Sequence, residues 1–319
     1  MYKEAVKAIK KAKTIYIATH VNPDGDAVGS SMALYCTLQK MGKNVKVIIP
    51  KYSYIFDRFP SIDETVSGIA EEKIDLLIVT DSSDLARVAI PKEDISKAEK
   101  IICIDHHKTN ALYGDINIID TNAPAACEVV YGLVKKLKVD IDLAIGTYIY
   151  AGIMTDTGSF KYSNTRVSTL EIAAELVKRG VVFSEIARDL LDTIKESKLK
   201  LLSKYITNLE SIEDGKIRYC LIEYADIEAL GVDDEDSEGM TNYGQMIQGT
   251  EVSIYVRGKE DGSYKVSMRS NGNVELSSIA LSYGGGGHAR AAGFPLEASE
   301  KDENKRVIIK LIKEQLKKL

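Results

Sequence analysis

Three short runs rich in β-branched residues, Thr14–Ala18, Asp75–Val79 and Ile101–Ile104, each lead straight into a group of carboxylates and imidazoles. Runs this short and this apolar read as strands buried on both faces. Between the first two, the stretch from about Ala27 to Met41 reads as a helix stopped by Gly42, and Val45–Ile49 as a further strand. Strands alternating with helices predict an α/β fold built on a parallel sheet. Ligands of such sheets bind beyond the carboxyl ends of the strands, so the residues just after each run are the candidates for a site. After the first come His20, Asp24 and Asp26, on a loop shaped by Pro23 and Gly25; after the second, Asp81 and Asp84; after the third, Asp105, His106 and His107. The chain has four histidines, and three of them fall at these strand ends.

A chain of 319 residues exceeds one ordinary core, which predicts two domains. A charged amphipathic stretch from about Ser184 to Leu209 reads as one long helix leaving the first of them. Beyond it, Ile217–Ile222, Glu251–Arg257 and Tyr264–Met268 read as strands of a smaller α+β unit. The expected division is a first domain over 1–190, a helical linker over 191–213 and a second domain over 214–319. The acidic stretch from Asp233 to Asp236 reads as a solvated loop or a helix start. A formal net charge of -5 argues against tracking long duplex nucleic acid, which needs many phosphate-neutralising cations. Cys36, Cys103, Cys127 and Cys220 lie far apart, as reduced core residues of a cytoplasmic protein do. The N-terminus lacks the apolar core of a signal peptide, and no uninterrupted apolar run would span a bilayer. No membrane partner is expected.

A fourth polar segment, Gly152 to Gly158, adds Asp156, so that His20, Asp24, Asp26, Asp81, His106 and Asp156 together offer two imidazoles and four carboxylates. Singly, an Asp after a strand is usually a helix N-cap and a buried His a satisfied core residue. Together, nitrogen and oxygen donors without a nearby thiolate suit Mn²⁺ or Mg²⁺ better than a structural zinc. Four carboxylates in one pocket repel one another, and two divalent cations balance their charge. Near the C-terminus, Gly284–Gly287 run into His288. Glycines in series read either as a flexible linker or as a nest of backbone N–H groups for an anion.

These segments, in this order and strand context, resemble the motifs of DHH phosphoesterases. The loop Gly285, Gly286, Gly287 and His288 resembles the signature of the DHH-associated domain. The resemblance implies that His20 and Asp24 hold one ion, that Asp26, His106 and Asp156 hold another, and that Asp81 bridges them. It further implies that Asp105 orients a neighbouring imidazole, that His107 faces the scissile phosphate, and that Arg269 with the glycine loop contacts a nucleotide. The implied cofactors are two divalent ions, Mn²⁺ first, with Mg²⁺ or Co²⁺ as alternatives. The implied activity is hydrolysis of short oligoribonucleotides to mononucleotides, together with 3′-phosphoadenosine 5′-phosphate. Alternatives are a phosphodiesterase for cyclic di-AMP or for linear dinucleotides, and, in another class, a non-catalytic nucleotide sensor or RNA-binding module. A homodimer stays open. One departure is Ala125 and Ala126, where the family commonly shows Ser or Thr, so any hydroxyl contact from there is absent.

Overall fold

The computed structural model describes residues 2–234, 236–272 and 274–317. It divides into two compact units, Met1–Thr193 and Ile194–Leu319. In the first, β1 (Thr14–Ala18), β2 (Asn44–Ile48), β3 (Leu76–Thr80), β4 (Ile101–Asp105) and β5 (Ile116–Ile119) form one sheet in the order β2-β1-β3-β4-β5. Every pairing in it is parallel. Alternate residues of each strand feed separate cores. Ile15 and Ile17 join one face with Ile78, Ile102 and Ile104, while Tyr16 and Ala18 join the other with Leu77 and Val79. Each fully buried Ile or Leu contributes roughly 1.5–3 kcal/mol. The first core is completed by the helices Gly25–Lys40, Ala126–Leu137 and Leu143–Asp156.

Strand order reverses between β1 and β3, because the chain leaves β1 in one direction for β2 and then returns to the far side. Loops at that switch point splay apart and leave a crevice. His20 follows β1 and Asp81 follows β3, so the reversal itself puts these two loops on either side of the crevice.

The second unit carries a six-stranded mixed sheet with the order β10-β11-β9-β8-β7-β6. Its strands are β6 (Glu210–Ile212), β7 (Ile217–Ile222), β8 (Val252–Gly258), β9 (Tyr264–Ser270), β10 (Gly286–His288) and β11 (Ala291–Leu296). One face buries Val252, Ile254, Val256, Val266 and Met268 beneath Ile308 and Ile312 of the helix Lys301–Leu316. On the other, Leu201 and Tyr205 of the helix Glu196–Thr207 pack with Cys220 and Ile222.

Three expectations are corrected. The helix expected over 184–209 is broken: it runs as Phe183–Ala187, a π turn over Arg188–Asp192, an extended stretch, and Glu196–Thr207. Thr193 causes the break, turning to an extended conformation while its Oγ1 donates to the Arg188 carbonyl at 2.9 Å, and the β-branched Thr193–Ile194 pair resists helix. The acidic stretch is not uniformly solvated, because Asp236 is buried and accepts from Ser197 Oγ at 2.7 Å; Glu235 lies outside the described residues. The glycine run is neither linker nor open loop throughout, since Gly286–His288 pairs with β11 as a strand. The four cysteines are free thiols. No helix among the described residues is long and apolar enough to cross a membrane.

Candidate metal centre

Asp24 begins the site as an ordinary N-cap: its Oδ1 accepts from the backbone N–H groups of Asp26 and Ala27, both at 3.1 Å, and starts the helix Gly25–Lys40. Asp26, in the first turn and fully buried, reaches across to a second helix. Its two carboxylate oxygens accept from the backbone N–H groups of Ala126 and Cys127, the latter at 2.9 Å, at the start of Ala126–Leu137. Backbone, not side chain, makes this contact, so alanine at 125 and 126 costs the site nothing there.

Close helix approach brings in the last carboxylate. Gly25 and Gly29 lie four apart on one helix face, and Gly152 lies four before Asp156 on Leu143–Asp156. A Cβ at Gly29 would meet the Tyr148 carbonyl at 2.6 Å, and one at Gly152 would meet Cys127 Sγ and, at 2.8 Å, Asp26 Oδ1. The missing side chains let the two helices bring Asp26 and Asp156 to one imidazole. His106 Nε2 lies 3.8 Å from Asp26, 3.5 Å from Asp81 and 3.4 Å from Asp156. Its Nδ1 lies 3.2 Å from the Ala123 carbonyl, which fixes that nitrogen as the donor and leaves Nε2 to face the carboxylates.

Asp81 stands at the centre. It is 3% exposed and has φ of 52°, in the left-handed region that few side chains other than Asn and Asp visit. His20 Nε2 lies 3.7 Å from its Oδ2. Among the described residues, three sets of donor atoms each fit within 4.8 Å: His20, Asp24 and Asp81; Asp26, His106 and Asp156; Asp81, Asp105, His106 and His107. Asp81 Oδ1 and His20 Nδ1 are buried without a hydrogen-bond partner.

Electrostatics show what the arrangement lacks. Burial, then the neighbouring Asp81 charge, pushes Asp26 up to about 7. Burial and the Asp26, Asp24 and Asp81 charges push Asp156 up to about 9. For Asp81, burial acts upward but is outweighed by the His106 and His20 contacts, and its pKa is lowered. His106 is raised despite burial, by Asp81, Asp26 and Asp156. Without metal, therefore, protons supply the positive charge these carboxylates need. Nitrogen and oxygen donors, crowded carboxylates and orphaned polar atoms together fit divalent cations.

Asp105 is buried, and its contacts settle which imidazole it orients. The ring it holds is that of His107, not His106: Asp105 Oδ1 lies 2.8 Å from His107 Nδ1 and accepts from the His106 backbone N–H at 2.8 Å. Asn110 Nδ2 donates to Asp105 Oδ2 at 2.6 Å and anchors the pair. Sequence patterning alone does not pick out Asn110, Gly29 or Gly152; the four-residue spacing of Gly25 with Gly29 is the one available signal.

In the second unit, Arg269, Ala291 and His288 lie on one rung of the sheet, on neighbouring strands. Directly opposite residues share a face, so Arg269 and His288 stand on the same side, two strands or about 10 Å apart. Gly286 lies on that side too, two residues further along, while Gly285 and Gly287 pack so closely on β11 that a Cβ at either would strike its backbone.

Residues 14–153 match the DHH family, N-terminal domain, and residues 219–318 match the DHHA1 domain. Over 316 residues the chain is 34% identical to a Thermus thermophilus protein named bifunctional oligoribonuclease and PAP phosphatase NrnA, spanning 98% of this chain and 93% of that one. A Bacillus subtilis protein of the same name is 29% identical, across 98% of this chain and 97% of its own length. A crystal structure of an exopolyphosphatase-related protein from Bacteroides fragilis has a TM-score of 0.89 at 25% identity, covering 98% of this chain and 95% of that one.

Proposed function

This chain belongs to the DHH family of phosphoesterases, and from that premise we propose that it hydrolyses short oligoribonucleotides to mononucleotides and removes a phosphate from 3′-phosphoadenosine 5′-phosphate. Those are the two activities in the names of its relatives. The observation that carries the reading is a pair of donor sets, His20–Asp24–Asp81 and Asp26–His106–Asp156, joined through Asp81 and His106 by a third set that contains both. On this reading His20 and Asp24 hold one ion, Asp26, His106 and Asp156 a second, and Asp81 lies between them. Two Mn²⁺ ions suit these donors; when bound they supply an activated water and neutralise charge on the phosphoryl oxygens. The connector falls within 191–213, the enzyme works in the cytoplasm, and its substrates are short RNAs rather than long duplexes.

The chain's own residues handle the rest. His107 gives its Nδ1 proton to the hydrogen bond with Asp105, which leaves Nε2 as the ring atom that meets substrate. That hydrogen bond, against the pull of burial, raises the His107 pKa, so a larger share of the imidazole carries the proton that the leaving oxygen requires. Asn110 keeps Asp105 in place. Arg269, Gly285, Gly286, Gly287 and His288 grip the nucleotide that remains bound.

The test is product analysis with Mn²⁺, with chelator, and with Asp81→Ala, on RNAs of two to about five nucleotides, 3′-phosphoadenosine 5′-phosphate, cyclic di-AMP, its linear dinucleotide and pyrophosphate. Mononucleotide release that vanishes with chelator and in the variant is expected. Cleavage of cyclic di-AMP alone would replace the substrate assignment, and metal binding without turnover of any compound would make the chain a sensor.

A further inference from the structure

The polar face of the second sheet extends well past Arg269. On β8 and β9 the directly opposite pairs are Ser253 with Arg269, Tyr255 with Ser267, and Arg257 with Lys265. All six share one face, and Lys265 lies four residues, about 13 Å, along the strand from Arg269. All of them but Ser253 line a cavity of about 440 Å³, closed opposite by Ser237, Thr241 and Asn242. That is the size of a small-molecule site.

Two features there are unfavourable for the protein by itself. Arg257 and Lys265 are like charges directly opposite across antiparallel strands, an arrangement that destabilises a sheet. Arg257 is only 7% exposed, yet its ion-pair partner is Asp234, at 2.7 Å, whose own side chain is 89% exposed. A solvated carboxylate offsets little of the cost of burying a guanidinium. Tyr255 Oη and Ser237 Oγ are buried next to one another in the same cavity lining. Among the described residues of the lining the other acid is Glu238, and Arg257, Lys265 and Arg269 face it and Asp234.

One occupant removes both. We propose that Arg257 and Lys265, with the hydroxyls of Tyr255 and Ser237, bind a phosphate monoester carried by a nucleotide, at the end of this cavity away from Arg269. The guanidinium fork and the ammonium donate to the phosphate oxygens, and the two hydroxyls complete the set. The inference rests on the reading of this chain as a nucleotide hydrolase, and it names the substrate feature selected: a terminal phosphate beyond the one being hydrolysed.

Titration calorimetry of the Mn²⁺-loaded full chain with AMP and with adenosine tests it. The wild type is expected to bind AMP at least about tenfold more tightly than adenosine. In Lys265→Ala, an exposed position that does not threaten folding, the ratio is expected to fall to roughly threefold; in Arg257→Gln to near one, with Arg257→Lys restoring part of it. A ratio that Lys265→Ala leaves unchanged would overturn the inference, as would a wild type that binds both ligands alike. Should Arg257→Gln melt early, Lys265→Ala alone decides. Loss of the nucleolytic reading looks different: no nucleotide is turned over, while the AMP preference still depends on Lys265.

Discussion

In the first unit Asp26, Asp81 and Asp105 are 0%, 3% and 0% exposed. Two of these carboxylates are also held by backbone amides: Asp26 by Ala126 and Cys127, Asp105 by the His106 N–H. In the second unit Gly286–His288 lie on the surface, and Arg269 is half-buried with one hydrogen bond, to its neighbour's carbonyl. The first set is rigid before any ligand arrives; the second is free to adjust to one. Charge that must meet a developing transition state benefits from being fixed in advance, whereas contacts to a variable nucleotide do not need that rigidity. The division implies that substitutions in the first unit act on kcat and those in the second on KM.

Removing the proposed proton donor should give the largest effect. His107→Ala is expected to lower kcat by about 10²–10³ while metal content, measured by atomic emission, stays unchanged; full turnover in that variant would take His107 out of the chemistry. Gly152→Val comes next, because its Cβ runs into Cys127 and Asp26. Overpacking of this kind costs about 2–3 kcal/mol, read as a loss of roughly 5–10 °C in the melting temperature of the first unit. Arg269→Ala sharpens the comparison, with a rise in KM of about tenfold and kcat within a factor of about two. A collapse of kcat there would break the division between the units.

The smallest effect is a pH dependence. Asp26 and Asp156, raised to about 7 and about 9, hold protons in the metal-free fold that the unfolded chain releases near the ordinary carboxylate pKa. The folded state therefore binds more protons, and the stability they confer is lost as pH rises through those two values. The raised His106 works in the same sense, and the lowered Asp81 titrates below this window. Because metal replaces those protons, the gain in melting temperature on adding Mn²⁺ should be a few degrees greater at about pH 8.5 than at about pH 6. An equal gain at both would mean the carboxylates do not compete with the ion.

Much of the first unit is legible in the sequence, because a buried parallel strand announces itself as an unbroken apolar run and its site must come directly after it. β5 escapes such a reading: Ile116–Ile119 is four residues long and interrupted by Asn117, too short to show a period. β10 is invisible for a deeper reason, since Gly286 and Gly287 have no side chains with which to alternate. The identity of Asp105's partner cannot be read from adjacency, because His106 and His107 are both neighbours and only the loop's path decides between them. Helix approach at Gly29 and Gly152 is a property of two segments more than a hundred residues apart, and periodicity within either cannot express it.

The left-handed backbone at Asp81 bears on how an unhydrolysed substrate could be captured from a cell. An alanine there gives up the carboxylate and also lacks the short polar side chain that lets Asp and Asn tolerate a left-handed backbone, which otherwise costs roughly 1–2 kcal/mol. Asparagine tolerates that conformation and keeps the side chain's shape while discarding its charge. Asp81→Asn is therefore the better bait: an inert copy whose loop keeps its path and whose cleft still fits its natural targets.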